Sequence, residues 1–421
     1  MADLQQEFDD IVDQRRVRAV FQPIVELAKG RTIGYEALAR GPAGSHFEQP
    51  AHLFEYAYQR GRSAELDWVC RASAVSAAMA AGMPRQVTLF INAEPATLRT
   101  RCPPDLLDTV QDGSRSLDIV VELTERYLAH DPAGVLDAVA AARAAGVGVA
   151  IDDVGAEPAS LAMMPLVRPD VIKLDLSVIQ GRPDQDVART VNGVLAEVER
   201  TGAAVLAEGI ESNRHAALAY SIGATLGQGW KFGRPGPLPH QWQSPPTPIV
   251  AVKAAVVTPA TPFEVVTRRR PARSATRQLL RSLSRQLEYR AADPADPSVL
   301  VACFEDAKHL SPAVAGEYAR IAEAAVMVAT FGRGMPSEPA KKVRGTALAE
   351  DDPLAQEWVV VAVAAHFGAA LVARRPRPSI ADSTAGRPED SPDVRYDFAV
   401  TYERDLVIAA AHSLVQRISV A

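Results

Sequence analysis

From residue 17 to about 235, short apolar runs alternate with longer amphipathic ones. The short runs read as strands: Ala19–Leu27, Thr32–Arg40, Val87–Ala93, Asp118–Glu125, Gly148–Asp153, Val171–Leu176, Ala204–Gly209 and Thr225–Phe232. Apolar residues at helical spacing predict helices between them, at Ala51–Tyr58, Ala64–Ala81, Ala133–Ala145, Gln185–Thr201 and Asn213–Ile222. Such alternation predicts an α/β fold, a parallel sheet with crossover helices. Eight strand units in this length match a closed (β/α)8 barrel of the TIM type. Only Ala28, Lys29, Gly30 and Arg31 separate the first two strands, whereas a helical crossover needs about a dozen residues. The first strand is therefore expected to form a hairpin, antiparallel to its neighbour.

Polar side chains stand at the ends of these runs: Glu36, Asn92, Glu122, Asp152 with Asp153, Lys173 with Asp175, Glu208 and Gln228. Buried there without partners, each is costly. Around a closed barrel the same positions converge on one mouth, the end at which barrel enzymes keep their chemistry. Taken singly, each has a plainer reading. A rim carboxylate is usually solvated, Asp152-Asp153 fits a cap or turn, and Lys173 with Asp175 fits a surface ion pair. The ordered series over successive strands is what joins them into one site.

Five carboxylates around one opening repel and raise one another's pKa values unless cations compensate. Oxygen-rich ligand sets suit Mg²⁺ or Mn²⁺, and the amide oxygen of Asn92 is equally hard. The adjacent Asp152 and Asp153 suit two ions about 3.5–4 Å apart that share a carboxylate, as in two-metal hydrolysis. A water between such ions loses its proton near neutral pH. Lys173 supplies a cation to hold that water and the developing phosphoryl charge.

The chain has 421 residues, enough for two or three domains with cores of their own. A net charge of −6 gives no overall pull toward nucleic acid, so an anionic substrate has to be held locally. Cys70, Cys102 and Cys303 are far apart and show neither a disulfide framework nor metal-ligand spacing. The polar, acidic start is unlike a secretory signal, and no apolar stretch reaches the length of about 18 residues that reads as a membrane span. A cytoplasmic protein with no membrane or nucleic-acid partner is expected.

Eight prolines between Gly233 and Pro262 interrupt the pattern and predict an extended linker over 241–261, after a barrel domain of 1–240. Periodicity then resumes in a smaller α+β domain, 262–421. Helices are predicted at Arg273–Glu288, with Leu279, Leu280, Leu283 and Leu287 on one face, and at Val314–Phe331 and Asp405–Ile418. Val394–Glu403 alternates like a strand, and Gln356–Leu371 is an apolar run that is β-branched at its start. His366 within that run reads as a packed core or sheet histidine rather than a ligand, and Cys303 as buried packing. Arg268, Arg269 and Arg270 with Arg273, Arg277 and Arg281 read as a solvated linker entering a helix. No aromatic residues interleave to favour nucleic-acid stacking.

The motifs themselves are similar to a known family. Glu36-Ala37-Leu38 followed by Ala39-Arg40 resembles the signature of EAL-domain cyclic di-GMP phosphodiesterases. Phe21-Gln22-Pro23-Ile24, Phe90-Ile91-Asn92, Glu122-Leu123-Thr124-Glu125 and Ile151-Asp152-Asp153 continue the series in order. Lys173-Leu174-Asp175, Ala207-Glu208-Gly209-Ile210-Glu211 and Gly227-Gln228-Gly229 complete it. The resemblance covers about residues 10–240. It implies a (β/α)8 barrel with one antiparallel strand, homodimerisation, and hydrolysis of cyclic di-GMP to linear pGpG with Mg²⁺ or Mn²⁺.

By matching position it implies metal ligation by Glu36, Asn92, Glu122, Asp152, Asp153 and Glu208. Lys173 would orient the nucleophilic water, and Glu36, Asp152 and Glu208 would share the catalytic work. Gln22, Leu38, Arg40, Asp175 and Gln228 would support the substrate. Arg40 would hold a phosphate, which its planar fork suits. Glu125 and Glu211 would brace loops. One stretch departs from the family: after the Asp pair the chain reads Val154-Gly155-Ala156-Glu157-Pro158-Ala159-Ser160, without the usual aromatic residue and second glycine. That departure keeps a second reading open, a weakly active or inactive cyclic di-GMP receptor or scaffold.

Residues 262–417 resemble the DICT sensory domain. The match lies in Arg277–Glu288, Phe331-Gly332, Asp352-Pro353-Leu354 with Glu357-Trp358, and Arg395-Tyr396-Asp397-Phe398 before Thr401. The resemblance implies a module that senses a ligand or protein partner and biases the barrel.

Overall fold

The computed structural model describes residues 2–94, 100–124, 128–156, 161–242, 260–376 and 393–418. The chain divides into two compact units, Met1–Glu157 with Arg168–Ala255, and Pro158–Val167 with Val256–Ala421.

In the first unit eight strands close a barrel in chain order. They are β1 (Arg18–Glu26), β2 (Arg31–Arg40), β3 (Thr88–Ala93), β4 (Asp118–Thr124), β5 (Gly148–Val154), β6 (Val171–Leu174), β7 (Ala204–Ala207) and β8 (Leu226–Gln228). β1 runs antiparallel to both β2 and β8, and every other neighbouring pair is parallel. Helices Pro50–Gln59, Ser63–Ala80, Pro132–Ala144, Gln185–Thr201 and Asn213–Ser221 stand where the apolar spacing places them. Helices Ala2–Asp13 and Pro104–Ser116 were not predicted. Both are polar, and each buries only a few apolar side chains, Phe8, Ile11 and Val12 in one and Leu106 in the other.

The barrel interior explains why the site lies where it does. Ile24, Ile33, Phe90, Val120, Ala150, Val171, Leu206 and Leu226, one from each strand, form a single buried cluster. Side chains of a strand return to the same face every second residue. Two residues beyond this plug therefore come Asn92, Glu122, Asp152, Lys173, Glu208 and Gln228, one per strand from β3 to β8 or just past its end. On antiparallel β1 the same step runs backward, from Ile24 to Gln22. On β2 the step is three residues, Ile33 to Glu36, because the β1–β2 register shifts at this point. A polar layer thus lies directly on an apolar floor.

The second unit contains a seven-stranded sheet. Its strands are β9 (Arg273–Thr276), β10 (Val299–Asp306), β11 (Met327–Arg333), β12 (Val343–Leu348), β13 (Glu357–Val363), β14 (Gly368–Arg374) and β15 (Arg395–Thr401). Their spatial order is β12-β11-β10-β13-β14-β15-β9. Leu280, Leu287, Tyr318 and Ile321 pack helices onto one face of it.

Several expectations are corrected here. The predicted helix Arg273–Glu288 begins only at Arg277 and runs to Ala291, because the Thr276 side chain caps it by accepting from Leu279 N–H while residues 273–276 pair with β15. Leu279 lies outside the buried stripe, at 48% exposure. Val314–Phe331 splits into helix Pro312–Ala324 and strand β11, and Gln356–Leu371 supplies β13 and most of β14. His366 sits exposed in the bend between those two strands, not in a core. Cys303 is fully buried, its thiol 3.3 Å from the Leu354 carbonyl. Arg269 and Arg270 both pair with Glu403. Most of the predicted linker, residues 243–259, lies outside the described residues. Among the described residues no helix is long and apolar enough to cross a membrane.

Candidate metal-dependent active site

Lys173 is fully buried at the centre of the polar layer. Its Nζ lies 2.8 Å from Glu122 Oε1, 2.8 Å from Asp152 Oδ1, 2.8 Å from Glu208 Oε1 and 3.9 Å from Glu36 Oε2. Glu36 is further held by two amides, with Asn92 Nδ2 donating to Oε1 at 3.0 Å and Gln228 Nε2 to Oε2 at 2.6 Å. Gln228 Nε2 also reaches Gln22 Oε1 at 3.2 Å, and Gln22 Nε2 donates to the Gly233 carbonyl at 3.2 Å. Eight of the residues singled out in the sequence are thereby drawn into one connected network.

Asp153 enters by a local irregularity. The β5–β6 register skips between Ile151 and Val154, leaving an extra residue on β5. Such bulges sit beside active sites and re-aim a side chain. Asp153 takes φ +59°, a left-handed conformation that aspartate tolerates better than most residues. Its N–H bonds Asp152 Oδ1 at 3.0 Å. Two consecutive residues, which a regular strand would point to opposite faces, both present carboxylates to the site.

The electrostatics follow from burial. Burial pushes the Glu122 carboxyl far above the ordinary carboxylate range, and nearby Glu36 adds to the push. Burial likewise carries Glu208 up to about 8, against the pull of Lys173. For Glu36 burial works upward too, but Lys173 and the amides of Gln228 and Asn92 hold it below its usual value. Burial opposes the Lys173 charge, yet Asp152, Glu122, Glu208 and Glu36 outweigh it and hold the ammonium well above its ordinary pKa. Lys173 is a fixed cation, not a base.

One ammonium does not neutralise this many carboxylates. Glu36, Glu122 and Asp152 bring ligand oxygens within 4.8 Å of one another, and so do Asp152, Asp153 and Glu208. The two groups overlap at Asp152 alone. Apart from the Lys173 ammonium beside Oε1, neither buried oxygen of Glu122 has a hydrogen-bond donor among the described residues. Hard oxygen donors, excess negative charge and unsatisfied acceptors fit a pair of divalent cations.

Other predicted residues lie beside this network. Leu38, Arg40 and Asn92 line a cavity of about 790 Å³. Arg40 donates to the neighbouring Ala39 carbonyl at 2.7 Å, and its cross-strand partner is Arg18, itself paired with Glu48 at 2.7 Å. Asp175 caps helix Leu176–Gln180 by accepting from Ser177 N–H at 2.8 Å. Glu211 is exposed, and its N–H donates to His215 Nδ1 at 3.3 Å. Glu125 and residues 157–160 lie outside the described residues. The sequence reading missed the part played by Gly229. It stands at φ +150°, and a Cβ there would come within 2.2 Å of the Ile210 carbonyl oxygen. The Gly-Gln-Gly run around Gln228 was its available signal.

A model of the family described as EAL domain matches residues 1–235, more than half of the sequence. The chain belongs to the EAL-domain family. A second model, described as the sensory domain in diguanylate cyclases and two-component systems (DICT), matches residues 264–376. The EAL part is 30% identical over 233 residues to the probable cyclic di-GMP phosphodiesterase PdeB of Escherichia coli (strain K12), covering 53% of this chain and 44% of that protein. It is 26% identical over 234 residues to the cyclic di-GMP phosphodiesterase RocR of Pseudomonas aeruginosa, covering 54% and 60%. The chain thus spans less than two thirds of either relative. Among solved structures, the Klebsiella pneumoniae BlrP1 manganese/cy-diGMP complex aligns with a TM-score of 0.46 and 28% identity, over 52% of this chain and 56% of that one.

Proposed function

We propose that the EAL barrel hydrolyses one phosphodiester bond of cyclic di-GMP to give linear pGpG, using two Mg²⁺ or Mn²⁺ ions, and that the DICT unit regulates it. The observation that carries this reading is the pair of carboxylate groups that overlap at Asp152 beside a buried ammonium. Glu36, Asn92, Glu122 and Asp152 would hold one ion; Asp152, Asp153 and Glu208 would hold the other. When bound, such ions stabilise phosphoryl charge and ease deprotonation of water at neutral pH.

The chain's own groups divide the remaining work. Lys173 donates to the attacking water and to charge developing on phosphorus, since its ammonium keeps its proton. Asp152, 2.8 Å from that ammonium, would accept the proton from the water, and Glu208, equally close, would do so once a bound ion has displaced its own proton. Gln228 and Asn92 fix the Glu36 carboxylate, and Arg40 grips a phosphate from the adjoining cavity.

The test is chromatography of cyclic di-GMP incubated with the full chain and Mg²⁺, Mn²⁺ or neither. Formation of pGpG that vanishes in Glu36→Ala supports the reading, and full activity in that variant refutes it. The regulatory half is tested by Leu280→Asp, which disrupts the second unit's core; an unchanged rate removes regulation. The loop that departs from the family after Asp153 favours the receptor alternative, whose mark is binding of cyclic di-GMP with no pGpG over hours.

A further inference from the structure

Glu208 stands one residue past the end of β7, so the strand alone does not place it. It opens a turn in which consecutive residues are tied to different neighbours. The Glu208 N–H bonds the Leu174 carbonyl at 3.1 Å, and the Ile210 N–H bonds the Gln228 carbonyl at 2.9 Å. Between them, the Gly209 carbonyl accepts from Gln180 Nε2 at 2.7 Å. The outer two ties are main-chain bonds to the neighbour of Lys173 and to Gln228. The middle one depends on a side chain.

Gln180 closes the short helix Leu176–Gln180, which Asp175 caps at its start, just after Lys173 and Leu174. Helix and turn are in close contact. Gly209 takes φ +63°, and a Cβ there would stand 2.6 Å from Leu176 Cβ and 3.0 Å from Gln180 Nε2. Glycine lets the turn come near enough for the amide to reach its carbonyl. The segment that leaves β6 after Lys173 thus comes back to hold the backbone beside Glu208, whose Oε1 lies 2.8 Å from the Lys173 ammonium.

We infer that Gln180 is a positioning residue. Through the Gly209 carbonyl it sets where Glu208 presents its carboxylate to the ion that Asp152 and Asp153 would also hold. The inference deepens the proposed function and rests on it. Gln180 is itself exposed and acts through the backbone alone. Groups that orient a metal ligand from behind contribute about 10–100-fold in metal affinity or activity. A tie to one neighbouring carbonyl belongs at the low end of that range.

The test uses the full chain with two variants, Gln180→Ala and Gln180→Met. Methionine keeps the length of glutamine and lacks its donor. Mn²⁺ binding is followed by equilibrium dialysis, with Tm and hydrolysis of cyclic di-GMP measured beside it. In both variants the Kd of one Mn²⁺ should rise about ten-fold. The other should keep its wild-type value, because Glu36 and Glu122 belong to the group without Glu208. At saturating Mn²⁺, kcat should fall about ten-fold with KM unchanged. Wild-type Kd values and kcat in Gln180→Met overturn the inference, since packing without a donor then suffices. Equal weakening of both ions with a lower Tm also overturns it, as a general loss of stability. A wild-type chain that binds two Mn²⁺ and forms no pGpG defeats the hydrolytic reading, while the dialysis still judges Gln180. A wild-type chain that binds no Mn²⁺ overturns both.

Discussion

Lys173 Nζ lies 2.8 Å from Asp152 Oδ1, and Asp152 is the carboxylate common to both candidate ion groups. The ammonium therefore stands at the junction of the site, not at its margin. It holds together side chains that would otherwise repel. It also places a permanent donor beside the groups that would hold the ions.

Lys173→Met should lower kcat by about 10²–10³, the usual cost of losing one transition-state donor. Without metal ions it should also destabilise the barrel by about 3–5 kcal/mol, because removing one partner leaves buried charge uncompensated. Urea titrations with and without Mn²⁺ check this, and the added ions should restore part of the loss. A variant as stable as the parent in EDTA would show that Lys173 is not the counterion described.

Much of this was legible in the sequence because strand periodicity and site position share one cause. From β3 to β8 the residue two places beyond the plug residue faces the same mouth, so Val120 with Glu122, Ala150 with Asp152 and Leu206 with Glu208 declare the layer in pairs. The four-residue connection Ala28–Arg31 announced the antiparallel β1. What stayed hidden depends on backbone detail. The bulge that brings Asp153 alongside Asp152 has no signature in residue type. In the second unit, Val314–Phe331 joins the end of a helix to a buried parallel strand, and an apolar run of that kind does not separate the two by periodicity alone.

The overlap at Asp152 makes metal stoichiometry informative. Equilibrium dialysis should count two Mn²⁺ per chain in the wild type and one in Glu122→Gln, which touches a single ion group. Asp152→Asn should weaken both. Ions at about 100 times their Kd should raise stability by about 2.7 kcal/mol per site, read as a rise in Tm that Asp152→Asn abolishes.

Glu357 gives the second unit a pH dependence of its own. Burial carries its carboxyl up to about 7, although Thr261 and the Phe263 N–H hydrogen-bond to it. A carboxyl raised in the folded state binds its proton more tightly folded than unfolded. Its stabilisation is therefore fully present below the unfolded value of 4.5 and is lost as pH rises toward about 7. The swing is on the order of 3 kcal/mol, at about 1.4 kcal/mol per pKa unit. Denaturation of Glu357→Gln should lack this component, leaving the variant more stable than the parent at pH 8 and not at pH 4.

Gly229→Ala should unsettle Gln228 without touching it. The φ of +150° and the closeness of Ile210 leave no room for a methyl group. A loss of about 1–3 kcal/mol is expected from the strained backbone alone. Activity should fall with it, since Gln228 bonds Glu36. An unchanged Tm and rate would mean that the turn relaxes freely.

The most direct measurement is product formation from cyclic di-GMP by the full chain, followed in Mn²⁺, in Mg²⁺ and in EDTA, beside Asp152→Asn. pGpG should accumulate with either ion, stop in EDTA, and be absent in the variant. Undiminished pGpG in EDTA or in Asp152→Asn, or none with either ion in the wild type, would contradict a cation-dependent phosphodiesterase built around Asp152.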